Sequence, residues 1–93
     1  MNIVQCINAM ISPEYCHRQL AEECTELAHA ALKMVRVMNH ETPKAPEEAM
    51  EALIEEMADV LMYYNDVMLC YGITADELRQ AYTEKFEKNM KRW

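Results

Sequence analysis

Two stretches of this 93-residue chain, AEECTEL at 21–27 and IEEMADV at 54–60, share one pattern: an apolar residue, two acids, two other residues, a third acid and an apolar residue. On a helix each residue advances by about 100°. With Glu23 set at zero, Leu20, Cys24, Leu27, Ala31 and Met34 fall between about 20° and 100°, and Glu26 near −60°. With Glu56 at zero, Leu53, Met57, Val60, Tyr64 and Val67 fill the same arc, and Asp59 lies near −60°. Acids thus border an apolar stripe in the same way on both segments. Antiparallel packing through the stripes would gather Glu23, Glu26, Glu56 and Asp59 on one side of a seam. Carboxylates so placed repel one another and raise each other's pKa unless a cation sits among them. Oxygen ligands alone suit a hard ion, Mg²⁺ or its substitute Mn²⁺, rather than zinc, which would call for Cys or His. The alternative is a solvated acidic rim, since acids three apart are common on amphipathic helices.

A second group has the opposite charge. Lys85, Asn89 and Arg92 are spaced by four and three and share a helix face, beside an apolar strip of Tyr82, Phe86 and Trp93. Two cations and an amide can grip phosphate oxygens, Arg92 in a bidentate manner. Near a helix C-terminus the same cations would also offset the dipole.

Helices must position these groups. One Gly and three Pro among many Ala, Leu, Met, Glu and Lys predict an all-α fold. Punctuation divides the chain into four helical segments. The first covers residues 2–10. Ser12-Pro13, an N-cap followed by proline at the first helical position, opens a long second one to about Met38. Residues 39–46, with two prolines, form the linker. Pro46 opens the third helix, with Glu47 and Glu48 in its first turn, and Gly72 closes it after Tyr71. Thr74 and Glu77 then form a capping box for the last. Residues 1–93 make a single domain, a small antiparallel bundle of about four helices. At this length one chain buries little more than ~60% of its unfolded surface, so oligomerisation is expected to complete the bundle. Ala21, Leu32 and Val35 extend the apolar arc of the second segment beyond what one partner helix needs.

A net charge of −7 and a pI near 4.8 argue against nucleic acid polymers as partners, because these are bound through clustered Lys and Arg. No basic leader and no run of ~20 apolar residues is present, so a soluble, cytoplasmic protein without membrane association is expected. Cys6, Cys16, Cys24 and Cys70 contain no Cys-x-x-Cys pair and read as buried reduced thiols. Of nine Met, Met34, Met38, Met50, Met57 and Met68 lie on apolar stripes and read as core filling. Glu14-x-x-His17 and Glu26-x-x-His29 fit the pattern of di-iron bundles, but both lie on one segment where such sites use two. His29 reads as a surface residue, and His40 as a solvent-facing linker residue.

In order along the chain, these motifs resemble the all-α nucleoside triphosphate pyrophosphatases, and within them the MazG-like and dCTP pyrophosphatase group. The resemblance is carried by Glu22-Glu23-Cys-Thr-Glu26, by Glu56-Met-Ala-Asp59 with its continuation Val-Leu-Met-Tyr63, and by Lys85-Phe-Glu-Lys-Asn89-Met-Lys-Arg92, over roughly residues 17–93. It implies that Glu23, Glu26, Glu56 and Asp59 bind Mg²⁺ and that Lys85, Asn89 and Arg92 hold the phosphates of a nucleoside triphosphate. Water then cleaves between the α and β phosphates, releasing monophosphate and pyrophosphate. Glu22 and Glu26 are candidate catalytic carboxylates, with the base left unassigned because Glu22 sits about 100° from Glu23. A homodimer or homotetramer is implied. Tyr63, Trp93 and the N-terminal segment are candidates to frame the base, whose identity stays open. Two alternatives stand beside this reading. One is phosphoribosyl-ATP pyrophosphatase, whose motif also resembles Glu22-Glu23-Cys-Thr-Glu26-Leu27, but which typically lacks the proline linker and the basic tail. The other is a non-catalytic helical interaction module.

Overall fold

The computed structural model describes residues 12–92. The first helical segment expected at 2–10, Cys6 and Trp93 lie outside the described residues. Three helices follow in order: α1 Pro13–Met38, α2 Pro46–Tyr71 and α3 Ala75–Lys91. Among the described residues there is no strand, and none of these helices is long and apolar enough to cross a membrane.

Each boundary has a local cause. The Ser12 hydroxyl accepts the Tyr15 N–H at 3.2 Å, and Pro13, which has no N–H to leave orphaned, occupies the first helical position. At the end of α1, His40 takes a left-handed φ of 57°. Its N–H donates to the Val37 carbonyl at 3.1 Å, and the Glu41 N–H reaches back to the Arg36 carbonyl at 2.9 Å. This pair of bonds is a Schellman closure, with histidine where glycine is usual. The end of α2 repeats it with glycine: Gly72 has φ 64°, and the Ile73 N–H donates to the Met68 carbonyl at 2.9 Å. Helix α2 begins at Ala45 without a side-chain cap. Thr74 caps α3 by accepting the Glu77 N–H at 3.1 Å, while its own hydroxyl donates to the Glu77 carboxylate at 3.2 Å.

Helices α1 and α2 pack as an antiparallel hairpin. His17 meets Tyr71 at the open end, with its Nε2 accepting from the Tyr71 hydroxyl at 3.1 Å and the two rings edge to face at 5.4 Å. Further along α1, Glu23 meets acids from the middle of α2. The buried apolar residues are small: Cys16, Ala30, Val37 and Ala49, which let the two backbones approach closely. With Glu23 at zero, the three on α1 lie between about −40° and 20°, so the seam is centred on the acids. This corrects the expected stripe. Cys24, Ala31, Met57 and Tyr64, at its far edge, are exposed. Met34 and Met68 are half-buried, but Met38, Met50 and Met57 are exposed and fill no core within one chain. Exposure of Cys24 likewise departs from the buried thiol expected there, whereas Cys16 is buried and Cys70 half-buried.

Helix α3 packs against neither α1 nor α2 among the described residues. The Cα radius of gyration is 16.7 Å, against ~12 Å for a compact domain of this length. Among the described residues, four buried apolar residues stand against fifteen large exposed ones, Leu32 and Val35 included. The large apolar side chains of the described residues are therefore presented outward more than inward.

Candidate metal centre

Because the seam runs through the acids, the acids are held together. Glu23 from α1 and Glu56 and Asp59 from α2 each offer a carboxylate oxygen, and these oxygens lie within 4.8 Å of one another. All three side chains are half-buried. Oε2 of Glu56 is buried without a hydrogen-bond partner among the described residues. An orphaned carboxylate oxygen is costly to bury, and two more carboxylates beside it add repulsion. The Glu23 carboxyl is pushed above its ordinary value of 4.5, first by partial burial and then by Asp59, Glu56, Glu22 and Glu26. A divalent hard cation would remove each of these penalties, and the all-oxygen donor set suits Mg²⁺ or Mn²⁺.

Glu26 and Glu22 are exposed and stand outside the cluster of three, although both are near enough to act on Glu23. Tyr63 is half-buried on the same face of α2, one turn beyond Asp59. Burial raises the pKa of its hydroxyl, with Tyr15, Glu23 and Asp66 adding to the effect. Lys85, Asn89 and Arg92 lie on or at the end of exposed α3, which makes no packing contact with the two acid-bearing helices. Within one chain the cations and the acid cluster are therefore on separate elements. Lys85 instead lines the elbow between α2 and α3 with Tyr64, Asn65 and Tyr82.

Asp66 was missed by the sequence reading. It is only 8% exposed and is the one buried charged residue among those described. Its signal was present: Asp66 follows Asp59 by two turns, so it falls on the same face. His29 and His40 are exposed, as expected, but His40 also terminates α1.

An all-α hairpin with a three-carboxylate cluster across its seam defines a helical protein with a candidate metal centre. Residues 11–92 match the family model of the MazG nucleotide pyrophosphohydrolase domain. The chain belongs to that family, and is accordingly a nucleotide pyrophosphohydrolase in general class. No curated protein and no solved structure matches it.

Proposed function

We propose that the protein is a Mg²⁺-dependent nucleoside triphosphate pyrophosphohydrolase that works as a homo-oligomer and cleaves between the α and β phosphates. The observation that carries this reading is the orphaned Oε2 of Glu56 beside Glu23 and Asp59. Glu23, Glu56 and Asp59 would hold the ion, with Glu26 at the rim as a fourth donor. When bound, the ion supplies positive charge opposite the triphosphate oxygens, with Mn²⁺ as a substitute. The chain's own groups do the rest. Glu22 or Glu26, exposed beside the cluster, accepts the proton of the water that opens the anhydride. Lys85, Asn89 and Arg92 bind phosphate oxygens through charge-assisted hydrogen bonds. Tyr63, half-buried near Glu23, frames the base end with its ring.

Two features, an apolar flank and the unpacked α3, support oligomerisation. The outer flank of the hairpin is an apolar groove that includes Leu27, Ile54, Met57, Leu61 and Tyr64. A second copy laid on that flank completes a four-helix core and gives the unpacked α3 a neighbour, bringing Lys85, Asn89 and Arg92 of one copy to the acids of the other.

The test is pyrophosphate release from a panel of ribo- and deoxynucleoside triphosphates and phosphoribosyl-ATP, with and without Mg²⁺, for wild type and Glu56→Ala. Release that needs Mg²⁺ and disappears in the variant is expected, and the ranking of the panel names the substrate. Undiminished release by Glu56→Ala would sink the metal assignment. No release from any substrate, together with a melting temperature indifferent to Mg²⁺, would favour the interaction module.

A further inference from the structure

The turn at His40 folds the linker back along α1, so that Lys44 comes to the last turns of that helix. There Lys33, Arg36, Thr42 and Lys44 line a cleft of about 180 Å³. Three of the nine cations of a chain with net charge −7 thus converge on one small space. Among the described residues, no carboxylate lines it. The ion pairs among the described residues are Arg18–Glu14 and Arg79–Asp76, which leaves Lys33, Arg36 and Lys44 unpaired there. Thr42 and Lys44 are half-buried, and the Lys44 N–H donates to the Thr42 hydroxyl oxygen at 3.4 Å. That contact leaves the Thr42 O–H proton for another acceptor. The dipole of α1 favours Lys33 and Arg36 in its closing turns, but it does not account for Lys44, which comes from the linker. The end of α1 is already satisfied by its own turn, because the Asn39, His40 and Glu41 N–H groups take the Val35, Val37 and Arg36 carbonyls.

We propose that this cleft is a binding site for a phosphate-type oxyanion. Arg36 supplies a bidentate fork, Lys33 and Lys44 supply charge, and Thr42 donates its hydroxyl proton. Lys33 follows Glu23 by ten residues, or about 15 Å along the helix. A phosphate held here therefore does not share an ion with the acid cluster. The site is separate from the one on which the proposed hydrolysis rests, and does not depend on it.

The metal-depleted, chelator-free full-length protein is titrated with inorganic phosphate, pyrophosphate and adenosine monophosphate, followed by calorimetry and by amide shifts in NMR. Expected are saturable binding that weakens with added NaCl and shifts centred on Lys33, Arg36, Thr42 and Lys44. Affinity should fall by about 10-fold or more in the double variant Lys33→Ala/Lys44→Ala and be retained in Lys33→Arg/Lys44→Arg. Arg36→Lys should also weaken binding, through loss of the fork, and provides a second arm should the double variant not fold. Equal binding by phosphate and the nucleotide would show that the phosphoryl group suffices, and tighter binding of the nucleotide would show that its remainder is also read. No saturable binding of any of the three, or unchanged affinity in the alanine and Arg36→Lys variants, overturns the proposal.

Discussion

Without a cation, Glu56 keeps one oxygen buried and unpartnered among like charges. Glu56→Gln removes the charge at nearly constant volume. The metal-free variant should therefore be more stable than wild type by about 1 kcal/mol, while its activity falls by at least about 100-fold and Mg²⁺ no longer raises its melting temperature. Parallel melts and assays check both halves of that trade. Glu23 gives a pH test. Its folded-state pKa lies above 4.5, so the folded protein keeps the proton longer than the unfolded chain. Stability from this group is fully present below pH 4.5 and is lost as pH rises through the raised value. In metal-free melts from pH 4.5 upward, wild type should lose stability relative to Glu23→Gln, and saturating Mg²⁺ should reverse the trend by competing with the proton. A difference curve flat with pH would contradict the repulsion. The acids themselves were legible in the sequence because their spacing is helical and repeated. That Glu23, Glu56 and Asp59 lie inside the seam was not, because Cys16, Ala30 and Ala49 make the tight contact and small residues contribute little to the hydrophobicity of a stripe.

At the scale of the helices, boundaries were the most readable feature. Ser12-Pro13, Pro46, Gly72 and Thr74 each act through one backbone constraint or one hydrogen bond within a turn, so no tertiary information is needed to place them. The role of His40 was hidden, because a left-handed histidine has no distinctive sequence signal. The two Schellman turns make a matched pair of predictions. His40→Gly should stabilise the protein by about 1 kcal/mol, and Gly72→Ala should cost about as much, even though a Cβ at Gly72 would meet nothing within 4 Å. In a domain of this size each should move the melting temperature by about 4–8 °C, in opposite directions. A shift of the same sign in both would mean that backbone conformation is not what these positions contribute.

The whole molecule was the least legible. Exposure of Met38, Met50 and Met57 follows from where helices are placed in space, and a periodic stripe looks the same whether its partner is in the same chain or another. The departure of α3 is likewise set at the three residues, Gly72, Ile73 and Thr74, that join it to α2, and a helix's own periodicity does not report it. On the proposed assembly, diluting the protein below its dissociation constant should cost activity more than in proportion to concentration, and sedimentation should show the loss to coincide with dissociation.

The separation of α3 from the acid seam also has a genetic consequence. If catalysis draws acids from one copy and cations from another, lesions in the two groups are not equivalent to one gene being dead twice. A Glu56→Ala chain and a Lys85→Ala chain, each inactive alone, should complement when co-expressed. Each mixed dimer holds one centre with both defects and one with neither, so random pairing should restore about a quarter of wild-type turnover. Two alleles both altered in the acids should restore none.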